Sequence, residues 1–346
     1  MTVLTTRIGG FSLPNPIICG SGEPVMTEAG IRAALAAGAA GVIAKSVNEQ
    51  PAAAHQLDRA DYALLGADHH VAAPGVSLFC RSGLAQRDPA EWFGTLAELD
   101  REAARGGRFV AASLVLGNAE AAERIADLAR AAGLRVFELN VGAPHASEAA
   151  PGVISQETDP AALAAMITRV RAAVPGMQLW VKLTGLSANL PALAVAASRA
   201  GADAVVMMGR FMAMLPDLDT LMPLLGTSAA YGGPWALPIV CRFLALSRRA
   251  AGSHYPLLGT NGVRSGADVA RMALAGASAT ELLSVVMHEG FGALTRIIGE
   301  LEALLIGRGL DFSDLIGRAA DRLSSYADQA EQPGRWRDYV PPETLA

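Results

Sequence analysis

Residues 136–183 carry the pattern that decides the fold: the run Val136-Phe-Glu-Leu139, an alanine-rich stretch over Pro160–Ala173, and a second run over Leu179–Leu183. Short apolar runs with β-branched or aromatic residues predict buried strands, and long alanine-rich stretches predict helices. Asp159 and Pro160 form a typical helix start, because aspartate caps the first turn and proline fits the first helical position. The stretch therefore predicts a strand, a helix and a second strand.

The same unit recurs along the rest of the chain. Further strands are predicted at Pro16–Cys19, Gly41–Ala44, Phe109–Leu114, Ala204–Met208, Tyr255–Leu258 and Ala279–Ser284. Further helices are predicted at Pro89–Ala104, Ala119–Ala132, Leu190–Ala200, Ala236–Ala250, Ala267–Leu274 and Gly292–Ile306, with a capping box at Ser265 and Asp268. Eight strands alternating with helices predict the α/β class and a (β/α)8 TIM barrel.

Two segments do not fit the repeating unit. Residues 47–105 are too long for one helix, so we expect a long insertion after strand 2, over the barrel mouth, with an extra strand at Val76–Phe79. At the other end, Phe312–Ala330 resembles an amphipathic helix. We expect the barrel within residues 1–310, followed by a C-terminal helical tail over 311–346.

Composition narrows the function class. The 346 residues are 51% hydrophobic and 18% charged, with a net charge of −5 and no basic run, which argues against nucleic acid as a partner. No apolar run is long enough to span a membrane, and residues 1–10 lack a secretory pattern, so we expect a cytoplasmic protein. Cys19, Cys80 and Cys241 show no metal or disulfide spacing, and we expect no metal site.

The chain has only two lysines, Lys45 and Lys182, against 26 arginines. Both lie at the carboxyl end of a predicted strand, where barrel enzymes place their active sites. A compact ammonium with a movable pKa can do chemistry that a guanidinium cannot. We therefore expect both lysines to face the barrel mouth, the alternative being lysines that extend over the surface.

A glycine-rich turn, Gly259-Thr-Asn-Gly262, follows the seventh predicted strand. Backbone N–H groups there, around Ser284 after the eighth strand and at Gly232-Gly233 could cradle a phosphate, as in many barrels. The alternative is that a tight turn simply requires glycine. The position favours a ligand that carries a phosphate.

Several segments resemble the dihydroorotate and dihydropyrimidine dehydrogenases. They are Cys19-Gly-Ser-Gly22, Ile43-Ala-Lys-Ser46, Glu138-Leu-Asn-Val-Gly-Ala-Pro-His145, Val181-Lys-Leu-Thr184 and Gly259-Thr-Asn-Gly262. The resemblance extends from about residue 8 to 307. It implies an FMN-containing barrel that interconverts a C–C single and double bond in a cyclic amide.

The resemblance also implies which residues bind the FMN cofactor. Lys45 would act in turnover as well as in binding, and Lys182 would stabilise the negative charge of the reduced flavin. The implied cofactor-binding residues are Ser21, Gly22, Lys45, Ser46, Asn140, Lys182, Gly233, Asn261, Gly262, Leu283 and Ser284.

The chain departs from these families at the positions of their proton-transfer cysteine. Ala143 and Gln156 occupy those positions, so the proton is left to His145, Ser147 or Ser155. His145 leads, because an imidazole suits proton transfer near neutral pH. Its alternative role is a capping or packing histidine.

The implied substrate pocket is altered as well. Gly209-Arg210 and Cys80-Arg81 stand where the families use amide-reading asparagines, while Asn140 is retained. Two arginines suggest a small substrate with an acidic group, since guanidinium pairs with carboxylate in two-point fashion. Alternatively, Arg81 and Arg210 point away and pair on the surface.

The favoured interpretation is an FMN-dependent oxidoreductase with an altered substrate, forming a homodimer. The electron acceptor stays open between another protein, a nicotinamide and a small oxidant, and so does the direction of the reaction. Two alternatives remain. One is a flavin-binding barrel that has lost dehydrogenase chemistry, and the other is a Schiff-base aldolase in which Lys182 attacks a carbonyl.

Overall fold

A computed structural model describes residues 3–48, 56–85, 87–115, 118–142 and 158–345. The strands within these ranges are β1 (Thr6–Ile8), β2 (Phe11–Leu13), β3 (Ile17–Cys19), β4 (Gly41–Ile43), β5 (Asp61–Leu65), β6 (Ser77–Arg81), β7 (Phe109–Val115), β8 (Val136–Asn140), β9 (Gln178–Lys182), β10 (Ala204–Met207), β11 (Phe211–Ala213), β12 (Ala229–Gly232), β13 (Leu257–Thr260) and β14 (Ala277–Leu282). The α-helices are α1 (Glu28–Ala36), α2 (Pro89–Ala104), α3 (Ala119–Ala131), α4 (Pro160–Ala173), α5 (Leu190–Arg199), α6 (Leu237–Ala251), α7 (Gly266–Leu274), α8 (Ser284–Glu289), α9 (Gly292–Ile306) and α10 (Phe312–Leu315).

Strands β3, β4, β7, β8, β9, β10, β13 and β14 pair in parallel and close into a barrel. The last strand meets the first through the pairs Thr280↔Ile17 and Leu282↔Cys19. Helices follow the strands along the chain, so the predicted (β/α)8 barrel is confirmed. The predicted helix starts are also confirmed, since Asp159 caps α4 and Ser265 forms a capping box with Asp268.

The barrel interior is apolar at one end and polar at the other. Inward positions recur at every second residue of a strand. Near the amino ends these positions are apolar, and the rings of Phe109 and Trp180 meet edge to face at 5.2 Å. The hairpin of β1 and β2 covers this end. The next inward positions toward the carboxyl ends are polar. They are Ser113, Glu138, Lys182 and Glu281. The polar end is therefore the end at which a reaction site can form.

A second sheet is formed by the antiparallel strands β11, β12, β6 and β5, in that order. It joins the insertion after β4 to a segment that follows β10. The strand predicted at Val76–Phe79 is confirmed as β6, whereas β5, β11 and β12 were not predicted. Their signal is weak, because β11 has three residues and β12 reads Ala-Ala-Tyr-Gly. Leu78 and Gly232 of this sheet line the cavity described below, so the sheet forms part of the mouth.

The prediction of a helix over Phe312–Ala330 was wrong. Helix α10 ends at Leu315, and Gly317 adopts a φ of 76°, which favours glycine and does not continue a helix. The turn brings Asp321 to Arg248, whose guanidinium donates to the carboxylate at 2.8 Å. Docking onto α6 therefore replaces the expected helix. In the described part of the chain, no helix is both long and apolar enough to cross a bilayer.

Candidate active site

A cavity opens at the carboxyl ends of the barrel strands. The space between its walls amounts to about 1110 Å³, including the part that is open to solvent. Its walls include these residues predicted to bind a cofactor: Ser21, Lys45, Ser46, Asn140, Lys182, Asn261, Gly262, Leu283 and Ser284. Gly22 lies against the Leu283 side chain, and Gly233 lines a smaller neighbouring pocket of about 190 Å³. The strand-end residues therefore converge on one space.

Lys182 reaches the floor of this cavity from β9 and contacts two carboxylates. Its Nζ lies 3.0 Å from Glu138 Oε2 and 2.5 Å from Glu281 Oε2. Burial alone would lower the pKa of Lys182, but the two carboxylates outweigh burial and raise this pKa above its usual range. Lys182 is therefore a permanently charged ammonium.

Hydroxyl groups connect this ion cluster to the cavity wall. Ser113 Oγ donates to Glu138 Oε1 at 2.9 Å and lies 2.9 Å from Ser46 Oγ. Ser46 Oγ in turn lies 3.0 Å from Ser21 Oγ, which lines the cavity. Ser21 follows β3, Ser46 follows β4 and Ser113 lies in β7. The pairing of these neighbouring strands therefore assembles the chain of hydroxyls.

Lys45 occupies a different part of the cavity and has a different electrostatic setting. Its Nζ donates to Glu23 Oε1 at 2.9 Å, and the Tyr62 hydroxyl donates to the same oxygen at 2.7 Å. Burial lowers the pKa of Lys45, with the Arg210 cation adding to the effect and Glu23 opposing it. A lysine with a lowered pKa gives up its proton more readily, which suits acid–base work.

The glycine-rich turn after β13 draws two loops together. Asn261 has a φ of 76°, and its Nδ2 donates to the Met208 and Gly209 carbonyls at 3.1 Å each. Gly262 follows at a φ of 85°, where a Cβ would fall 2.5 Å from the Leu237 backbone nitrogen. Only glycine fits this position, and the turn leaves backbone at the cavity wall.

Of the residues predicted to bind substrate, Asn140 and Arg210 line the cavity. Arg210 donates to Cys80 Sγ at 2.6 Å and to Ser82 Oγ at 3.1 Å, which places the buried Cys80 behind it. Arg81 points elsewhere, because its guanidinium donates to the backbone carbonyls of Arg59 and Leu225. Arg210 is therefore the arginine that faces the cavity.

The predicted proton-transfer residues His145, Ser147 and Ser155 lie outside the described residues, as do Ala143 and Gln156. Their assignment stays a prediction. Within the described ranges, no group of three His, Cys, Asp or Glu side chains could hold a metal ion.

Four residues of this site were missed by the sequence reasoning: Glu23, Tyr62, Glu138 and Glu281. Glu138 and Glu281 are each the one charged residue of a buried strand, and a lone carboxylate at such a position was the available signal. Glu23 and Tyr62 carried no such signal, because their contact with Lys45 depends on the fold of the mouth.

Comparison with known proteins supports one family throughout. The family model for dihydroorotate dehydrogenase matches residues 110–305. The dihydroorotate dehydrogenase B (NAD(+)) catalytic subunit of Methanocella arvoryzae is 28% identical over 321 residues, covering 91% of this chain and 97% of that protein. The same subunit of Methanosarcina mazei is 29% identical over 322 residues, covering 90% and 93%.

A second group of relatives matches over a shorter region. Dihydroorotate dehydrogenase A (fumarate) of Limosilactobacillus reuteri is 29% identical over 187 residues, covering 54% of this chain and 59% of that protein. The family model spans more than half of the chain, and the matched residues include β8, β9 and β14, which carry the ion cluster of the cavity floor. The chain belongs to the dihydroorotate dehydrogenase family.

Proposed function

We propose that this protein is an FMN-dependent oxidoreductase that interconverts a C–C single and double bond in a small substrate with an acidic group. The observation that carries the proposal is that both lysines of the chain face one cavity at the barrel mouth. Lys182 is held charged at the floor, and Lys45, with its lowered pKa, lies at the wall. One site thus offers a fixed positive charge and a titratable amine.

The shape of the cavity suits FMN. The large cavity and the smaller pocket share Gly262, Val263 and Ser284, so a ring system bound in the cavity would have its phosphate at this shared wall. A Cβ on Gly233 would fall 2.2 Å from Ser77 Oγ, so glycine allows the backbone to approach Ser77 closely at this wall. Bound FMN would supply hydride transfer at its ring.

Within that arrangement, each of the chain's own residues has a proposed task. Lys182 and Asn140 would hold the polar edge of the ring, and the backbone at Gly262 and Ser284 would hold the phosphate. Lys45 would bind the ring and assist the proton that accompanies hydride transfer.

Arg210 is the proposed anchor for the acidic group of the substrate. It lines the cavity, donates to the thiol of Cys80 and the hydroxyl of Ser82, and forms no ion pair with a carboxylate of the described residues. Glu23 is the nearby carboxylate whose charge acts on Arg210, but it is already ion-paired with Lys45. The two cations and one carboxylate leave a positive charge that favours a carboxylate ligand. The missing asparagines argue against orotate itself as the preferred ligand.

Replacing Arg210 with glutamine is expected to weaken the binding of acidic ligands by about 10- to 100-fold, as expected for loss of a charged hydrogen bond. Titration of the FMN-loaded protein with orotate, followed by the flavin spectrum, measures the effect. Uracil lacks the carboxylate and should bind both forms alike. Arg81→Gln is the matched control and should leave orotate binding unchanged. Equal orotate affinity in the wild type and the Arg210 variant would remove Arg210 as the anchor.

The aldolase alternative gains little support from the cavity. A Schiff-base lysine needs a free amine, which is favoured when its pKa is lowered. Lys182 instead has a raised pKa and two carboxylate partners. It is better suited to stabilise negative charge than to attack a carbonyl.

The experiment that tests the proposed reaction is anaerobic mixing of the FMN-loaded protein with saturated donors. We expect donors with an acidic group to bleach the flavin absorbance, and dihydrouracil to fail. Dihydroorotate should react more slowly than the preferred acidic donor. If FMN is bound and no donor of a broad panel reduces it, the protein is a flavin-binding barrel without dehydrogenase chemistry.

We further propose that the protein is a cytoplasmic homodimer. Its three cysteines are free, with Cys19 and Cys80 buried, which suits a reducing compartment. Exposed apolar side chains such as Leu218, Leu221 and Met222 would tolerate an interface. Sedimentation equilibrium at micromolar concentration should give twice the chain mass, whereas a monomer would contradict the proposal.

A further inference from the structure

The cavity floor holds more negative than positive groups. Glu138 and Glu281 are 0% and 2% exposed, and both contact the single ammonium of Lys182. If both carboxyl groups were ionised, the site would carry one net negative charge with little access to water. A carboxyl group in such a position binds a proton instead, because an unmatched buried charge is costly.

The hydrogen-bond pattern indicates where this proton lies. Ser113 donates to Glu138 Oε1, and the Oε2 atoms of Glu138 and Glu281 both lie against Lys182 Nζ, whereas Glu281 Oε1 has neither a donor nor an ion-pair contact among the described residues. Because both carboxyl groups contact the same Nζ, a proton on Glu281 would allow it to donate a hydrogen bond to Glu138. Burial, followed by the charge of Glu138, raises the pKa of Glu281 to about 8.

The other elements around Glu281 contribute no competing charge. On the β3 side, burial raises the pKa of the Cys19 thiol to about 12, so this thiol stays neutral. On the other side, β13 has no ionisable side chain. Behind the strand, Asp268 and Arg271 of α7 pair with each other at 2.8 Å. The net charge at the cavity floor therefore depends on Glu138, Lys182 and Glu281.

We propose that Glu281 and Glu138 share one exchangeable proton beside Lys182, and that this proton-holding site responds to the charge of the ligand above it. The part that concerns a ligand rests on the proposed function. Hydride transfer from a donor C–H bond to bound FMN would oxidise the donor and add negative charge above Lys182. If Glu281 is ionised at that moment, it takes up a proton from water, because nearby negative charge raises its proton affinity. The hydroxyls of Ser113, Ser46 and Ser21 connect the site to the cavity wall.

Infrared spectroscopy of the flavin-free protein tests the shared proton without any cofactor. The wild type should show the C=O band of a protonated carboxylic acid at pH 7, and the band should disappear by pH 10. Glu281→Gln and Glu138→Gln should each lack the band at pH 7, because the remaining carboxylate pairs with Lys182 alone. Glu289→Gln is the matched control and should keep the band, since Glu289 pairs with Arg264 and Arg296 away from the floor. A wild type without the band, or a band that survives in both floor variants, would overturn the proposal.

The second measurement is the reduction equilibrium of bound FMN against a redox dye as a function of pH. Above pH 8 the ratio of reduced to oxidised FMN should fall in the wild type by up to an additional tenfold per pH unit relative to Glu281→Gln, while the two should agree near pH 6. If FMN binds and both proteins follow the same curve, the coupling is wrong and the proposed function stands. If FMN does not bind, the proposed function fails, and the infrared result still decides the shared proton.

Discussion

Replacing Lys182 with alanine is expected to lower the free energy of unfolding by about 3–5 kcal/mol, which makes it the most destabilising single change we predict. The ammonium separates two buried carboxyl groups, and its removal leaves Glu138 and Glu281 facing each other without a cation. Urea unfolding of the flavin-free protein measures the loss. The same variant should retain FMN less tightly, because the reduced ring loses a partner for its negative charge.

A double variant separates charge from packing. Adding Glu138→Gln to Lys182→Ala removes the carboxylate that is left without its cation, so part of the lost stability should return. A loss below about 1 kcal/mol in Lys182→Ala, or no recovery in the double variant, would show that the cluster is not held by its charges.

The second large effect is expected at His145. His145→Asn should reduce turnover by about 10²- to 10⁴-fold, since Ala143 and Gln156 occupy the two positions at which the family resemblance implies a proton-transfer cysteine. FMN should stay bound, and the turnover of the wild type should titrate in the range of histidine. Steady-state kinetics with the donor that bleaches the flavin, together with FMN content, measure both effects.

Cys80→Ala is the matched control for this prediction. Burial raises the pKa of the Cys80 thiol, although the Arg210 cation opposes the shift. A protonated thiol behind Arg210 is a poor base, so turnover should largely survive its removal. Loss of turnover confined to the Cys80 variant would instead make Cys80 the proton-transfer group.

The barrel was predictable because its signal is local. Each strand carries its own short apolar run, and the carboxyl end of each run can be read directly from the sequence. That is why Lys45, Asn140 and Lys182 could be placed at one mouth before any contact was known. The resemblance of short motifs to a family then agreed with that placement.

The partners of those lysines could not be predicted, because they depend on contacts between distant strands. Glu281 on β14 meets Lys182 on β9 only when the barrel closes, and Tyr62 reaches Glu23 only through the second sheet. The helix predicted for the C-terminal tail was wrong because a long-range contact overrode a local pattern. A helical pattern was present after Phe312, but the docking of Asp321 on Arg248 prevailed over local propensity.

The visible absorption spectrum of the purified protein is the most direct test of whether this barrel binds FMN. The protein would be incubated with excess FMN, passed through a desalting column and measured against its protein concentration. We expect a flavin spectrum with about one FMN per chain, shifted from that of free FMN by the charged floor at Lys182. A colourless protein that retains no FMN after this treatment would contradict it.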